Sequence, residues 1–501
     1  MQTSAAPTAI EALQPAAVWR FFAGIAAVPR PSKHEQQIRT HLRHTAEARG
    51  LTAREDPHGN LLIEAPAAPG CENAPIVVLQ GHLDMVPEKN ADNPHNFETD
   101  PIRPQVATDP RTGRQVVRAS GTTLGADNGI GVALALAAAT EPDIRHGPLE
   151  ILCTVDEEAG MTGAKALDRA FLKGRILLNL DSEEDDAIYI GCAGGCDTTL
   201  TFNFPLKPVS PRLKAARVVV NGLRGGHSGG DIHENRGNAN KVLARTLLRV
   251  SHALRLADIR GGSKRNVIPR EASAIVCGSQ SALAALGTAA PQVRAEVLAE
   301  SDETGLQIKL EPIGLEQVPA ALTPKDTQRL LATLAGLPHG VLGMHPRMPG
   351  LVQTSNNLAI LSSERSDGAL RVQVCTLARS SALSLLHLTR MQIESVGRLA
   401  GAAVESGNAY PGWEPNPASP TLAVCRRVYR ELFGAEPRVT AIHAGLECGI
   451  INERMGGTLD AVSIGPTIRN AHSPDELVYV DSVAKCWRFL KAILAELTKP
   501  H

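Results

Sequence analysis

The stretch Leu149-Glu-Ile-Leu-Cys-Thr-Val155-Asp-Glu-Glu-Ala-Gly160 decides how the chain is read. A mostly apolar run of strand length stops at three consecutive carboxylates, with a glycine one residue further on. Adjacent carboxylates at the mouth of a buried strand cost desolvation and repel one another, so a cation is the natural compensation. One of Glu157 and Glu158 is then available to bind metal while the other works as a base. The plain alternative is a solvated acidic turn, and the rest of the chain has to supply further ligands if that alternative is to be set aside.

Three other runs end in the same way. Ala74-Pro-Ile-Val-Val-Leu-Gln80 leads to Gly81-His-Leu-Asp84, Arg175 to Leu180 leads to Asp181, and Leu459 to Ile464 leads to the loop carrying His472. Imidazoles and carboxylates therefore sit just past the carboxyl ends of several strands, the edge at which open α/β sheets bind ligands. In His82-Leu-Asp84 an extended backbone points both side chains the same way, which suits a ligand histidine oriented by a carboxylate behind it. Asp127 lies between glycines and the start of an alanine-rich helix, where it serves either as a helix cap or as a short carboxylate bridging two metals. Mixed His and carboxylate ligands favour zinc, with cobalt or manganese as substitutes. Two ions roughly 3.5 to 4 Å apart would use the whole set.

Strands alternating with helices give an α/β class: a catalytic domain with a mixed, largely parallel sheet flanked by helices. Ser32-Lys-His-Glu35 has the spacing of a capping box and is expected to open a helix. Composition shifts near Ala193, and the α/β pattern returns only near Pro420. A separate α+β domain is therefore expected at 194–399, inserted between 1–193 and 400–501. Within it helices are expected at Ala239 to Leu256, Lys325 to Leu334 and Ala382 to Arg398.

With 501 residues the chain exceeds one ordinary core. Lys plus Arg number 51 against 52 Asp plus Glu, a balance that gives no steering toward nucleic acid or an anionic membrane. No apolar stretch approaches the roughly 20 residues needed to span a bilayer, and Met1 to Pro15 lacks the pattern of a secretory leader. Nine scattered cysteines point to reduced thiols in a cytoplasm; Cys192 and Cys196 lack the second pair a zinc ribbon needs.

The strings GHLDMVP, GTTLGADNGIG, TVDEEAGMTGA and LDSEE, followed by GGHSGG, RNVIPREA, AYPGW, HAGLECG and SIGPTIRNAHSPDE, resemble those of the aminoacyl-histidine dipeptidases. These are carnosine-hydrolysing enzymes in the aminoacylase and glutamate-carboxypeptidase group of dinuclear zinc peptidases. The likeness runs from about residue 15 to the C-terminus. It implies two Zn2+ per subunit, with His82 and Asp181 on one ion, Glu158 and His472 on the other, and Asp127 bridging both. It implies that Asp84 orients His82, and that Glu157 is the general base that passes a proton from water to the leaving amine. In the inserted domain His227 resembles a lid histidine that stabilises the tetrahedral oxyanion. Arg379 resembles the residue that grips the substrate's free carboxylate, with Asn266 and the backbone around Gly445 as further substrate-binding candidates. Asp156 is left with a structural role at the strand end, and Glu447 is left without a role.

The implied function is a dipeptidase for small substrates, Xaa-His including carnosine, acting in the cytoplasm. A homodimer is expected, although the long insertion also suits a lid folded back on itself. Two competing readings are an N-acyl amino acid amidohydrolase on the same scaffold and an inactive metal- or peptide-binding protein.

Overall fold

The structure, a computed structural model, describes residues 10–499. Residues 1–9, part of the N-terminal stretch read above, and 500–501 lie outside the described residues. The chain divides into two compact units. One takes in the chain up to Gly191, Pro415–Ala441 and the chain from Leu446 onward; the other comprises Cys192–Glu414 and Ile442–Gly445.

The first unit is built on an eight-stranded sheet. Its spatial order is Thr52–Glu55, Leu61–Ala65, Leu149–Thr154, Val77–His82, Ile176–Asn179, Asp460–Ser463, Ala187–Cys192 and Arg438–Ile442. The four strands at the centre, from Leu149–Thr154 to Asp460–Ser463, are mutually parallel. Their neighbours on either side, Leu61–Ala65 and Ala187–Cys192, run antiparallel. Val77–His82 and Leu149–Thr154 are buried at every position, which explains why they read as continuous apolar runs rather than alternating ones. The helix Ala126–Thr140 packs on Val77–His82, and its alanines and glycines bury nearly all round its circumference. Four parallel neighbours bring four carboxyl ends to one edge, and that edge positions the site.

The helix after Ser32 does form, as Gln36–Glu47, but the expected capping box does not. The Ser32 hydroxyl donates instead to Asp84 Oδ2 at 2.8 Å, and Glu35 Oε1 accepts the backbone N–H of Asp156 at 3.0 Å. Tertiary partners have taken the two side chains that local spacing assigned to the helix end.

The second unit carries a nine-stranded sheet in which Val352–Ser366, Ala369–Ser380, Gly194–Pro205 and Ala403–Tyr410 are consecutive neighbours. Leu243, Leu247, Leu286, Leu330, Leu386 and Ile393, from four helices, build its core. The helix expected to reach Leu256 ends at Leu248, because Leu254–Gly261 is a strand paired with Ala272–Gly278. The boundary expected near residue 400 lies at Glu414, because Ala403–Tyr410 pairs along Gly194–Pro205.

Candidate metal centre and active site

A belt of buried polar side chains crosses the four parallel strands at or next to their ends. Thr154 Oγ1 and Gln80 Nε2 both donate to Glu447 Oε2, the latter at 2.7 Å. Asn179 Nδ2 donates to Gln80 Oε1 at 2.5 Å, and the Ser463 hydroxyl reaches Asn179 Oδ1. Each of the four strands contributes one member, and each member lies shortly before a candidate ligand or the loop that carries one. Because buried polar groups need partners, this belt fixes the mutual register of the strand ends. Glu447, fully buried at the start of the helix Glu447–Arg454, ties it together.

Above the belt the five proposed ligands converge. His82 Nε2 lies 3.1 Å from Asp127 Oδ1 and 3.4 Å from Asp181 Oδ1. His472 Nε2 lies 3.1 Å from Asp127 Oδ2 and 2.9 Å from Glu158 Oε2. The Asp127 carboxylate thus stands between two His-carboxylate pairs and offers one oxygen to each. Ligand atoms of His82, Asp127 and Glu158 all lie within 4.8 Å of one another. Asp181 Oδ1 and Glu158 Oε1 are buried without a hydrogen-bond donor, an arrangement a cation would satisfy.

Several backbone devices aim these groups. Glu476 accepts the N–H of Leu124, Gly125 and Asp127 at 2.7, 2.9 and 3.2 Å, clamping the turn that presents Asp127. Buried Arg30 donates to the carbonyls of Leu83 and Asp84 at 2.8 and 2.9 Å and also to that of Gly125, joining the Asp84 and Asp127 loops. Gly81 is required by close approach: a Cβ there would lie 2.2 Å from Asn128 Oδ1. His472 sits at φ 62, a left-handed conformation that strains a residue with a β-carbon and is held here by its loop.

Asp84, fully buried, does more than accompany His82. Its Oδ1 lies 3.4 Å from His82 Nδ1, whose nearer partner is the Asp84 carbonyl at 3.1 Å. Its carboxylate accepts the backbone N–H of Glu157 at 3.0 Å and of Glu158 at 3.1 Å. Asp156, at φ 57, turns the chain and accepts the Thr162 hydroxyl at 2.7 Å, a structural part. The Glu157 carboxylate has no side-chain hydrogen bond among the described residues.

The electrostatics are those of crowded anions. Burial pushes the Asp181 carboxyl up to about 7 and those of Glu183 and Glu447 up to about 8. Burial, then repulsion from Asp181 and Glu158, raises Glu157 well above the carboxylate range. Bonds to Asp127 and Glu158 push His472 up to about 11. For His82, burial opposes the charge, but the nearby Asp181, Asp127 and Asp84 carboxylates outweigh it. Protons thus neutralise this cluster when no metal does.

The remaining candidates form a group in the second unit. His227 lies on Gly226–His227, paired with Val267–Ile268. Its Nδ1 accepts the N–H of Gly230 at 3.0 Å and of Gly229 at 3.3 Å, which leaves the ring hydrogen of a neutral imidazole on Nε2. Arg379 is buried near the end of Ala369–Ser380, and its Nη1 donates to the Tyr410 hydroxyl at 3.0 Å. Asn266 has an exposed side chain, and its carbonyl accepts the Ser228 N–H at 2.8 Å. Gly445 ends the short return Ile442–Gly445.

Residues 78–496 match the family described as Peptidase family M20/M25/M40. The chain belongs to peptidase family M20/M25/M40. As a member of it, the chain is a peptide-bond hydrolase. It is 41% identical over 492 residues to the cytosol non-specific dipeptidase of Escherichia coli strain K12, covering 97% of this chain and 98% of that one. The crystal structure of aminoacylhistidine dipeptidase from Vibrio alginolyticus matches at 42% identity with a TM-score of 0.86, covering 97% and 98% of the two chains. Aminopeptidase PepT from Bacillus cereus shares the fold, with a TM-score of 0.60 at 18% identity, over 97% of this chain and 100% of that chain. No helix among the described residues of this peptidase is long and apolar enough to cross a membrane.

Four residues of this M20/M25/M40 chain that sequence reasoning passed over or left without a role are Glu447, Glu476, Arg30 and His443. Charged residues within apolar or capping contexts were the signal for the first three. His443 had only its place in the quoted string HAGLECG.

Proposed function

We propose that this peptidase is a metal-dependent dipeptidase that cleaves dipeptides with a free carboxylate, Xaa-His including β-Ala-His. The observation that carries the reading is the Asp127 carboxylate standing between the His82/Asp181 and His472/Glu158 pairs. Dipeptidase names on the E. coli and V. alginolyticus relatives, each covering nearly the whole chain, support the substrate class.

The donor set, two imidazoles with three carboxylates and no thiolate, fits two zinc ions, and the orphaned oxygens of Asp181 and Glu158 fit a cation. Zinc held there supplies Lewis acidity, polarising the scissile carbonyl and lowering the pKa of water toward roughly 7. Glu157, whose carboxylate has no hydrogen bond among the described residues, takes the proton from the attacking water and delivers it to the leaving amine. Asp84 holds the Glu157 and Glu158 backbone and the His82 ring in place. His227 Nε2–H donates to the oxyanion, and Arg379 grips the free carboxylate as a bidentate partner. Asn266 and the Gly445 backbone assist in holding substrate.

The exposed large apolar side chains among the described residues, Val341, Leu342, Met344, Leu383, Leu388, Met391 and Leu399, all belong to the second unit, which supports association into a homodimer through that unit. Nine cysteines, none of them in a disulfide among the described residues, support a reducing, cytoplasmic setting.

The test is hydrolysis of β-Ala-His by purified protein, before and after chelation and with zinc restored, beside an N-acetyl amino acid. Activity on β-Ala-His that chelation removes and zinc returns supports the reading. Preference for the N-acetyl compound makes the chain an amidohydrolase, and inactivity in every arm makes it a binding protein.

A further inference from the structure

Arg379 is 5% exposed and lies directly opposite Ser355 in the antiparallel register of its strand. No carboxylate among the described residues forms an ion pair with it; it bonds the Tyr410 hydroxyl, and its Nε is buried without a partner. His443, 7% exposed, comes from the return Ile442–Gly445 in the same unit. Its Nε2 meets the Ser355 hydroxyl at 2.7 Å, and its Nδ1 is buried without a partner. Opposed residues of an antiparallel pair share a face, with Cβ atoms about 5 Å apart, so Ser355 sets the imidazole beside the guanidinium. The Gly225–Gly230 loop rests against this residue: a Cβ on Gly229 would lie 2.4 Å from the His443 carbonyl oxygen and 3.0 Å from His227 Cε1.

A buried guanidinium without a counter-ion, next to a ring nitrogen without a partner, is matched to an anion with two oxygens. Burial, and next the Arg379 guanidinium, hold His443 down to about 3, with the Val352 backbone acting the other way, so at neutral pH the ring is an uncharged donor rather than a second cation. In the tautomer that the proposal requires, the Ser355 hydroxyl donates into Nε2 and the ring hydrogen stands on Nδ1.

We propose that His443 is a specificity-determining residue that donates from Nδ1 to the substrate's free carboxylate, sharing that group with Arg379. The proposal rests on the reading of Arg379 given above. His443 supplies a direction as well as a bond, because Ser355 fixes its ring, and it thereby favours a carboxylate over a carboxamide of the same shape.

The experiment compares β-Ala-His with its C-terminal amide as substrates for wild type, Arg379→Ala, His443→Ala, His443→Gln and Ser355→Ala, with zinc content measured for each. Wild type is expected to favour the acid strongly, and Arg379→Ala to abolish most of that preference. His443→Ala is expected to lower the acid-to-amide ratio of kcat/KM by about tenfold or more, through KM and at unchanged zinc content. His443→Gln retains part of the ratio, and Ser355→Ala loses less than His443→Ala. If wild type does not distinguish acid from amide, or Arg379→Ala still does, the Arg379 reading falls and the proposal with it. If Arg379→Ala loses the preference while His443→Ala keeps the wild-type ratio, Arg379 stands and His443 is overturned. Should His443→Ala fail to fold, unchanged ratios in both His443→Gln and Ser355→Ala overturn the proposal.

Discussion

The Glu157 backbone N–H donates to the Asp84 carboxylate at 3.0 Å, so the end of one strand holds the turn that follows its neighbour. The adjacent N–H of Glu158 reaches the same carboxylate at 3.1 Å. Asp84→Asn keeps the size but presents an NH2 where one N–H needs an acceptor. Groups that support metal ligands in this way typically contribute about 10–100-fold in affinity or activity. Both kcat and zinc affinity are therefore expected to fall by a factor in that range, read by steady-state kinetics and competition with a chelator. A change confined to KM would contradict this role.

In the proposed mechanism Glu157 and Glu158, neighbours in sequence, have separate functions. Glu157→Ala is expected to keep wild-type zinc content while kcat falls by about 10²–10⁴, the usual contribution of a proton-transfer group. Glu158→Ala is expected to lose metal as well as activity. Metal analysis beside single-turnover rates distinguishes the two, and equal metal loss in both variants would remove Glu157 from proton transfer.

Glu447 is the side chain on which the polar belt depends. Glu447→Ala takes from Gln80 and Thr154 their shorter acceptor and leaves each a 3.3 Å one, Thr154 Oγ1 and the Gly81 carbonyl, so the loss is expected at the lower end of the about 1–3 kcal/mol for a buried group left unpaired. Glu447→Gln keeps an acceptor and is expected to recover much of that stability. Denaturant unfolding of the zinc-loaded proteins measures the difference. Equal stability of wild type and Glu447→Ala would show that the belt does not set the strand ends.

The crowded carboxyls give a pH dependence of defined sign. Folded values near 7 for Asp181 and near 8 for Glu183 and Glu447 lie above their unfolded values of about 4. Between pH 7 and 8 the folded protein therefore holds more protons than the unfolded chain, and stability falls as pH rises. His472, raised to about 11, acts in the same direction. The Tm of chelated protein is expected to drop from pH 7 to pH 8, and zinc to raise Tm more at pH 8 than at pH 7. A Tm of chelated protein that rises over this interval would contradict the described charge cluster.

Much of the first unit's α/β fold was legible in the sequence because its signals are local. An apolar run ending in His82, Glu157 or Asp181 needs only its own few residues to be read, and parallel neighbours then bring those ends together. The belt was not legible, because Gln80 and Glu447 lie 367 residues apart and neither carries a periodic signal. The capping spacing at Ser32 misled for the related reason that a distant carboxylate, Asp84, outcompeted the helix end. His443 stayed hidden because its meaning comes from a cross-strand register, Ser355 opposite Arg379, that no single segment records.

The central claim is that Asp127 lies between two metal ions held by His82/Asp181 and Glu158/His472. Zinc K-edge absorption on fully active protein, combined with metal analysis, tests it most directly. The account predicts two zinc ions per chain with a metal–metal vector at roughly 3.5–4 Å, both ions being lost in Asp127→Ala. Full activity with one ion per chain and no metal–metal vector would contradict it.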